Sequence, residues 1–260
     1  MIDIHTHILP GLDDGAADWS DTLSMARAAA AEGITSIIAT PHHANGKYTN
    51  SAENIIELVQ IANDRIKAEG IAITLRPGQE IRVHDELLEG WDRGELLTLA
   101  SSRYILVEMP SSRIPRGMLE LIHELKLMGL IPVIAHPERN AEVAKHPERL
   151  SELIAQGAVA QVTAASLLGG FGRRVEQCAW LLCRQGLIHI VSSDAHHAVR
   201  RGFRLRESYE AVRVRMGEQW EHYMLDNAQC IAENRVFSAM PPITSAGDSP
   251  FRRLLSLFSK

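Results

Sequence analysis

Met1-Ile-Asp-Ile-His-Thr-His-Ile-Leu-Pro-Gly-Leu-Asp-Asp-Gly15 opens the chain, and its reading decides the fold. Side chains of an extended strand alternate between faces, so His5 and His7 point one way and Thr6 the other. Pro10, Gly11 and Gly15 then turn the chain and carry Asp13 and Asp14 on the bend. Two imidazoles together at a strand end make half of a metal site. By itself a His-x-His pair is more often a solvated surface feature. The remaining strand ends decide between these readings.

A regular alternation follows. Asp18 or Ser20 can cap a helix through Ala31 that stops at Gly33. The apolar, β-branched run Ile34–Thr40 predicts a second strand, ending in Pro41-His42-His43. Ile55, Ile56, Leu58, Val59 and Ile66 give a helical period from about Ser51 to Glu69. Ile71–Leu75 is the expected third strand, running out at Pro77-Gly-Gln-Glu80. Leu87 and Leu88 fall in a less regular stretch, with Gly90 read as a cap, before a strand over Tyr104–Met109. A helix over Pro115–Met128 carries Pro near its start and Gly129 after its end. Strand Ile131–Ala135 closes in His136-Pro-Glu-Arg139, and a helix near His146–Gln156 leads to strand Ala158–Thr163. A helix near Arg174–Gln185, a seventh strand over Leu187–Val191 ending Ser192-Ser-Asp194-Ala-His196, and helices from about Arg204 to Ala232 complete the pattern.

Seven mostly apolar strands separated by helices predict an α/β fold with a parallel sheet, and 260 residues suit a single α/β barrel. Such barrels collect their chemistry at the C-terminal strand ends. His5, His7, His42, Glu80, Glu108, His136, Asp194 and His196 all fall there, and Asp14 joins them from the first turn. These nine nitrogen and oxygen ligands suit three divalent ions, with Mn, Fe or Zn favoured over soft-metal chemistry. Such a cluster acidifies water toward pH ~7 and stabilises charge on a phosphoryl group. Arg139 and Arg201, three and five residues past His136 and His196, can fork onto phosphate oxygens. Metal-assisted hydrolysis of a phosphate ester is the expected reaction class.

A net charge of −5 without a basic stripe argues against nucleic-acid binding. No apolar run reaches the ~20 residues of a membrane span, and Met1 leads into the first strand without the regions of a signal peptide. Cys178, Cys183 and Cys230 do not read as a disulfide framework. A cytoplasmic location is expected.

Taken together, His5-x-His7 with Asp13-Asp14-Gly15, Pro41-His42, Gly78-Gln-Glu80, Val107-Glu108, Ala135-His136-Pro-Glu-Arg139 and Ser193-Asp194-Ala-His196 resemble the PHP (polymerase and histidinol phosphatase) superfamily. Within it the chain looks like the manganese-dependent protein-tyrosine phosphatases of bacterial capsule and exopolysaccharide clusters. The resemblance runs from Met1 to about Val236. It implies a distorted (β/α)7 barrel of the PHP type and a trinuclear centre. One ion would use His5, His7, Glu80 and Asp194, a second Glu80, Glu108 and His136, and a third Asp14, His42 and His196. Arg139 and Arg201 would grip the phosphate, and the substrate would be phosphotyrosine on a kinase of polysaccharide export. The chain departs from the pattern at Asn140, Thr163, Ala165, His197 and Arg200-Arg201-Gly202, which leaves Arg200 as an alternative to Arg201. A small-molecule phosphomonoesterase of the histidinol-phosphatase type and a non-catalytic metal-binding scaffold are the competing readings.

Three features have simpler explanations. Cys178-Ala-Trp-Leu-Leu-Cys-Arg184 matches the Cys-x5-Arg pattern of thiol phosphatases, but its residues are bulky and lack the glycines of a phosphate cradle. A buried helix is expected there. His43 and His197, beside proposed ligands, are expected as partly exposed mouth residues that can touch the substrate, and Glu138 as a partner of the ligands. Residues 237–260 read as a Pro/Ser-rich linker and a short basic amphipathic tail, a frayed end or a weak membrane or kinase docking element.

Overall fold

The structure, a computed structural model, describes residues 1–243, so the amphipathic tail expected near the C-terminus lies outside the described residues. The strands are β1 (Ile2–Thr6), β2 (Ser36–Ala39), β3 (His42–His43), β4 (Thr74–Pro77), β5 (Glu80–Arg82), β6 (Tyr104–Glu108), β7 (Ile131–Ala135), β8 (Val159–Thr163) and β9 (Ile190–Ser192). All pairings are parallel, in the orders β1-β2-β4 and β3-β5-β6-β7-β8-β9.

These ladders occupy seven strand positions. β2 and β3 are one position interrupted before Pro41, which has no N–H to give, and β4 and β5 are one position interrupted at Gly78-Gln79. Gly78 is required there, because a Cβ would sit 2.8 Å from Ile38 Cγ2 on the neighbouring strand. The ring closes where Thr6 bridges Ala195, with Asp194 N donating to His5 O and His7 N to Ala195 O, both at 2.9 Å. The expected seven-position α/β barrel is the observed architecture.

Helices cover the ring: α1 (Trp19–Ala31), α2 (Ala52–Ala68), α3 (Leu87–Asp92), α4 (Met118–Leu127), α5 (Ala141–Lys145), α6 (Pro147–Ala155), α7 (Ala164–Leu167), α8 (Arg173–Arg184), α9 (Leu205–Met216) and α10 (Glu218–Ala232). Asp18 caps α1 by accepting from the amides of Ser20 and Asp21, and Ser51 caps α2 through Asn54. α2 buries Ile55, Val59, Ala62 and Ile66 at helical spacing. Each such aliphatic side chain contributes about 1.5–3 kcal/mol on burial.

Several expected boundaries move. The third strand begins at Thr74, because Ile71–Ile73 serve as the link out of α2, and the seventh begins at Ile190. Pro115 precedes α4 by a turn instead of lying within it, and Gly90 is an internal residue of α3 packed beside Leu96. The helices expected from Arg204 are two, meeting at Gly217, whose φ of +101° breaks the run.

Two apolar layers result. The inner one fills the ring with Ile4, Ile38, Leu106, Val133 and Ile190, joined by Ala228 and Ile231 of α10. The outer one, with Ile37, Ile105, Ile134 and Val191, meets the helices. The chain stays packed past Val236: Phe237 stacks on Tyr104 with ring centres 5.1 Å apart, and Met240 packs on the outer layer.

Candidate metal centre

Pairing along β1 slips by one residue between Asp3 and Thr6. This bulge lets Ile4 join the inner layer while His5, its neighbour, also turns inward to Gln161, Glu80 and Asp194. His5 Nδ1 lies 3.1 Å from Gln161 Oε1 and His7 Nδ1 2.6 Å from Asp13 Oδ2. Each partner leaves the other ring nitrogen facing the pocket, the usual arrangement behind a metal-ligating histidine. Asp13 also accepts from the amides of Gly15 and His42, which ties the first turn to the second strand position. Gly15 is obligatory because a Cβ there would lie 2.0 Å from His7 O.

His5 Nε2 and His7 Nε2 are 3.3 Å apart, each 3.3 Å from Glu80 Oε2, and 3.5 and 3.4 Å from Asp194 Oδ1. Four ligand atoms thus face one point. His42 Nε2 and His196 Nε2 approach Asp14 Oδ1 at 3.5 and 3.4 Å, and His7 belongs to the same group. The third grouping differs from the expected one. Glu80 Oε1 meets His136 Nε2 at 2.7 Å, but Glu108 converges with His42 and Glu80 and is paired to Arg82 Nη2 at 2.9 Å. All nine expected ligands nevertheless lie in one connected cluster.

Its local backbone is strained where two of them leave their strands. His136 (φ +34°) and Asp194 (φ +52°) adopt left-handed conformations that non-glycine residues avoid. The charges are mutually dependent. Burial opposes charge on His5, but the Glu80 and Asp194 carboxylates outweigh it and raise its pKa; Asp13 does the same for His7. Burial also opposes charge on Glu80 and Asp194, yet surrounding histidines and arginines hold both well below the usual carboxylate range. Burial, reinforced by Arg139, lowers His136 to about 4, whereas burial beside Glu80 lifts Glu108 to about 7.

Buried His42 Nδ1, Glu80 Oε2, Glu108 Oε2, Asp194 Oδ1 and His196 Nε2 make no hydrogen bond of good geometry. Polar atoms so buried ordinarily find partners. A set of nitrogen and oxygen donors left open in this way fits divalent cations.

Arg139 and Arg201 both reach Asp194 Oδ2, the former in a very short contact and the latter at 2.7 Å. Arg139 also donates to Thr163 Oγ1 at 2.8 Å. Arg201, not Arg200, therefore turns toward the centre; Arg200 is exposed. His43 is buried, with Nδ1 2.7 Å from Asn50 O, because Asn50 and Gln79 supply its polar partners inside the fold. It is not the exposed mouth residue expected. His197 is half-buried and its Nδ1 accepts from the amides of Val199 and Arg200, holding that turn. Glu138 is buried and accepts from Thr163 N and Ser166 Oγ, fixing the loop beside the cluster.

Asp13, Gln161 and Phe171 were not singled out as site residues by the sequence. Gln161 was detectable as the one amide within the apolar run Val159–Val162. Phe171, exposed in a glycine-rich loop, places its ring 4.9 Å from the guanidinium carbon of Arg139 and 5.8 Å from that of Arg201. Cys178 lies in α8, and burial lifts its thiol to about 11, which removes the thiolate that a Cys-x5-Arg mechanism requires.

Residues 1–233 match the profile of a family described as capsular polysaccharide synthesis, CpsB/CapC. The tyrosine-protein phosphatase YwqE of Bacillus subtilis is 41% identical over 242 residues, covering 93% of this chain and 95% of YwqE. CapC of Staphylococcus aureus is 36% identical over 243 residues, covering 93% of this chain and 95% of CapC. A chain from the crystal structures of YwqE and of CpsB from Streptococcus pneumoniae, described as unique metal-dependent tyrosine phosphatases, aligns with a TM-score of 0.90. That match is 41% identical and covers 94% of this chain and 99% of the other.

Proposed function

This chain belongs to the CpsB/CapC family of capsular polysaccharide synthesis, and from that premise we propose that it is a metal-dependent protein-tyrosine phosphatase. The observation that carries the reading is the facing quartet His5, His7, Glu80 and Asp194, with the arginines attached to the outer oxygen of Asp194. Three divalent ions, manganese in the first place and iron or zinc otherwise, are the proposed occupants. His5, His7, Glu80 and Asp194 would hold one, and Asp14, His42 and His196 another. Glu80, Glu108 and His136 would hold the third, with His42, which converges on Glu80 and Glu108 in this structure, beside them. Such cations supply Lewis acidity toward phosphoryl oxygens and water acidified toward neutral pH.

The chain's own residues then divide the work. Asp194 presents one oxygen to the histidines and the other to both guanidiniums, so the cation cage and the anion grip share one side chain. Arg139 and Arg201, fixed beside the cluster by Asp194, would donate to phosphoryl oxygens as charge grows during in-line attack by water. As the water oxygen bonds to phosphorus, the bond from phosphorus to the phenolic oxygen breaks in line with it. A phenolate, with a pKa near ~10, leaves without a strong acid, so the buried His43 is not needed as a proton donor.

The proposed substrate is a phosphotyrosyl protein, a tyrosine kinase of polysaccharide export. A polypeptide, unlike a small metabolite, would extend from the centre over the loops following β5 and β6. His84, Pro110, Arg113 and Arg116 line a groove of about 710 Å³ there, past the ends of the strands that carry Glu80 and Glu108. No described helix is long and apolar enough to cross a membrane. The three free, buried cysteines suit the reducing cytoplasm, the proposed location. The sequence Phe251–Lys260 is proposed as a weak docking element for membrane or kinase.

The test compares kcat/KM for a phosphotyrosyl peptide, a phosphoseryl peptide and histidinol phosphate, before and after chelation and with Mn²⁺ restored. The phosphotyrosyl peptide is expected to be preferred, with activity lost on chelation and recovered with Mn²⁺. Preference for histidinol phosphate, or full activity in the chelated protein, would overturn the reading.

A further inference from the structure

The loop Gly169-Gly170-Phe171-Gly172, between α7 and α8, holds a large apolar ring in solvent at the rim of the centre. Its shape is set by backbone. Gly169 and Gly172 have φ of +75° and +89°, and a Cβ on Gly170 would approach Ala165 O to 3.1 Å. An exposed phenylalanine is unremarkable alone. This one is flanked by both guanidiniums, at 4.9 and 5.8 Å, within the ~6 Å range of cation–π attraction. The same two arginines turn an Nη2 toward Asp194 Oδ2 and so stand beside the candidate metal cluster.

We propose that Phe171 is a specificity-determining residue whose exposed ring packs against the aryl group of the phosphoester while Arg139 and Arg201 hold its phosphoryl group. This rests on the phosphatase reading above and adds the residue that tells phosphotyrosine from phosphoserine. An aryl phosphate separates phosphorus from ring centre by the C–O and O–P bonds plus the ring radius. That span is of the same order as the distance from the arginines to Phe171, so an aryl ring on a phosphate held by the guanidiniums falls within reach of Phe171. Aromatic pairs favour offset or edge-to-face contact, which a ring open on one side permits. A phosphoseryl group has no ring to place there, and the contact is lost.

Full-length protein supplemented with Mn²⁺ tests this with phenyl phosphate and glycerol phosphate as the aryl and alkyl esters. Phe171→Ala is expected to lower the aryl-to-alkyl ratio of kcat/KM by about tenfold, chiefly through KM for the aryl ester. Phe171→Trp is expected to retain the ratio. Calorimetric titration supplies a readout without turnover: Phe171→Ala should weaken phenylphosphonate more than methylphosphonate. Equal losses for both esters would show that the ring only supports the arginines, and unchanged constants for both would show no role; either overturns the proposal while leaving the phosphatase reading intact. Wild-type protein that hydrolyses neither ester would overturn both.

Discussion

Asp194 holds a left-handed backbone conformation so that its two oxygens face opposite ways, one to His5 and His7 and one to Arg139 and Arg201. Removing a group on either side should therefore give separable defects. His136→Ala is expected to lose both bound metal and activity. Arg139→Ala should keep its metal, by elemental analysis, and lose turnover by about a hundredfold or more. Normal hydrolysis by either variant would contradict the assignment. Cys178→Ser should behave as wild type, and alkylating reagents should not inhibit it, because the thiol is buried in α8 with its pKa lifted to about 11. A cysteine variant that is inactive yet folded by circular dichroism would reinstate the thiol mechanism. The candidate ligands were readable at this scale because each ends a strand or follows its turn. Asp13 and Phe171 were not, because their partners are assembled only by the fold, and Gln161 left only the trace of an amide in an apolar run.

Among the elements, the turn after β1 and the start of α1 lie side by side but carry different burdens. Gly15 leaves no room above His7 O, so Gly15→Ala must displace the first turn and Asp13 with it. Overpacking of this kind costs about 1–3 kcal/mol, and metal affinity should fall as well. Asp18→Ala removes only the cap of α1, costing about 1 kcal/mol, and should leave metal content unchanged. Denaturant titration with metal analysis separates them; equal metal loss in both would refute the distinction. The long apolar runs made seven strand positions visible in advance. The two-residue β3 and three-residue β5 were hidden, because Pro41 and Gly78 interrupt their positions and polar ligand residues replace the apolar signal. The bulge in β1 was equally invisible: alternation predicts opposite faces for Ile4 and His5, and only pairing with β2 reveals the slip.

For the molecule as a whole, acid sensitivity should arise partly far from the cluster. His189 is buried, its Nδ1 accepts from Ala160 N at 3.2 Å, and burial pushes its pKa down to about 4 from 6.5. The unfolded chain then binds more protons between those two values. Its contribution to stability is complete above pH 6.5 and is lost as pH falls toward 4, by on the order of 3 kcal/mol. His189→Asn, which keeps an acceptor but cannot ionise, should flatten that part of the profile in denaturant titrations at stepped pH. An unaltered slope would place the sensitivity elsewhere.

The barrel's seam has a temporal meaning. Residues 5 to 7 hydrogen-bond to 194 and 195, so the N-terminal and last strands must dock before the quartet exists. A ribosome translating this message releases no half-competent catalyst: until Asp194 has emerged, His5 and His7 have neither a neighbour across the seam nor the carboxylate that completes their cage.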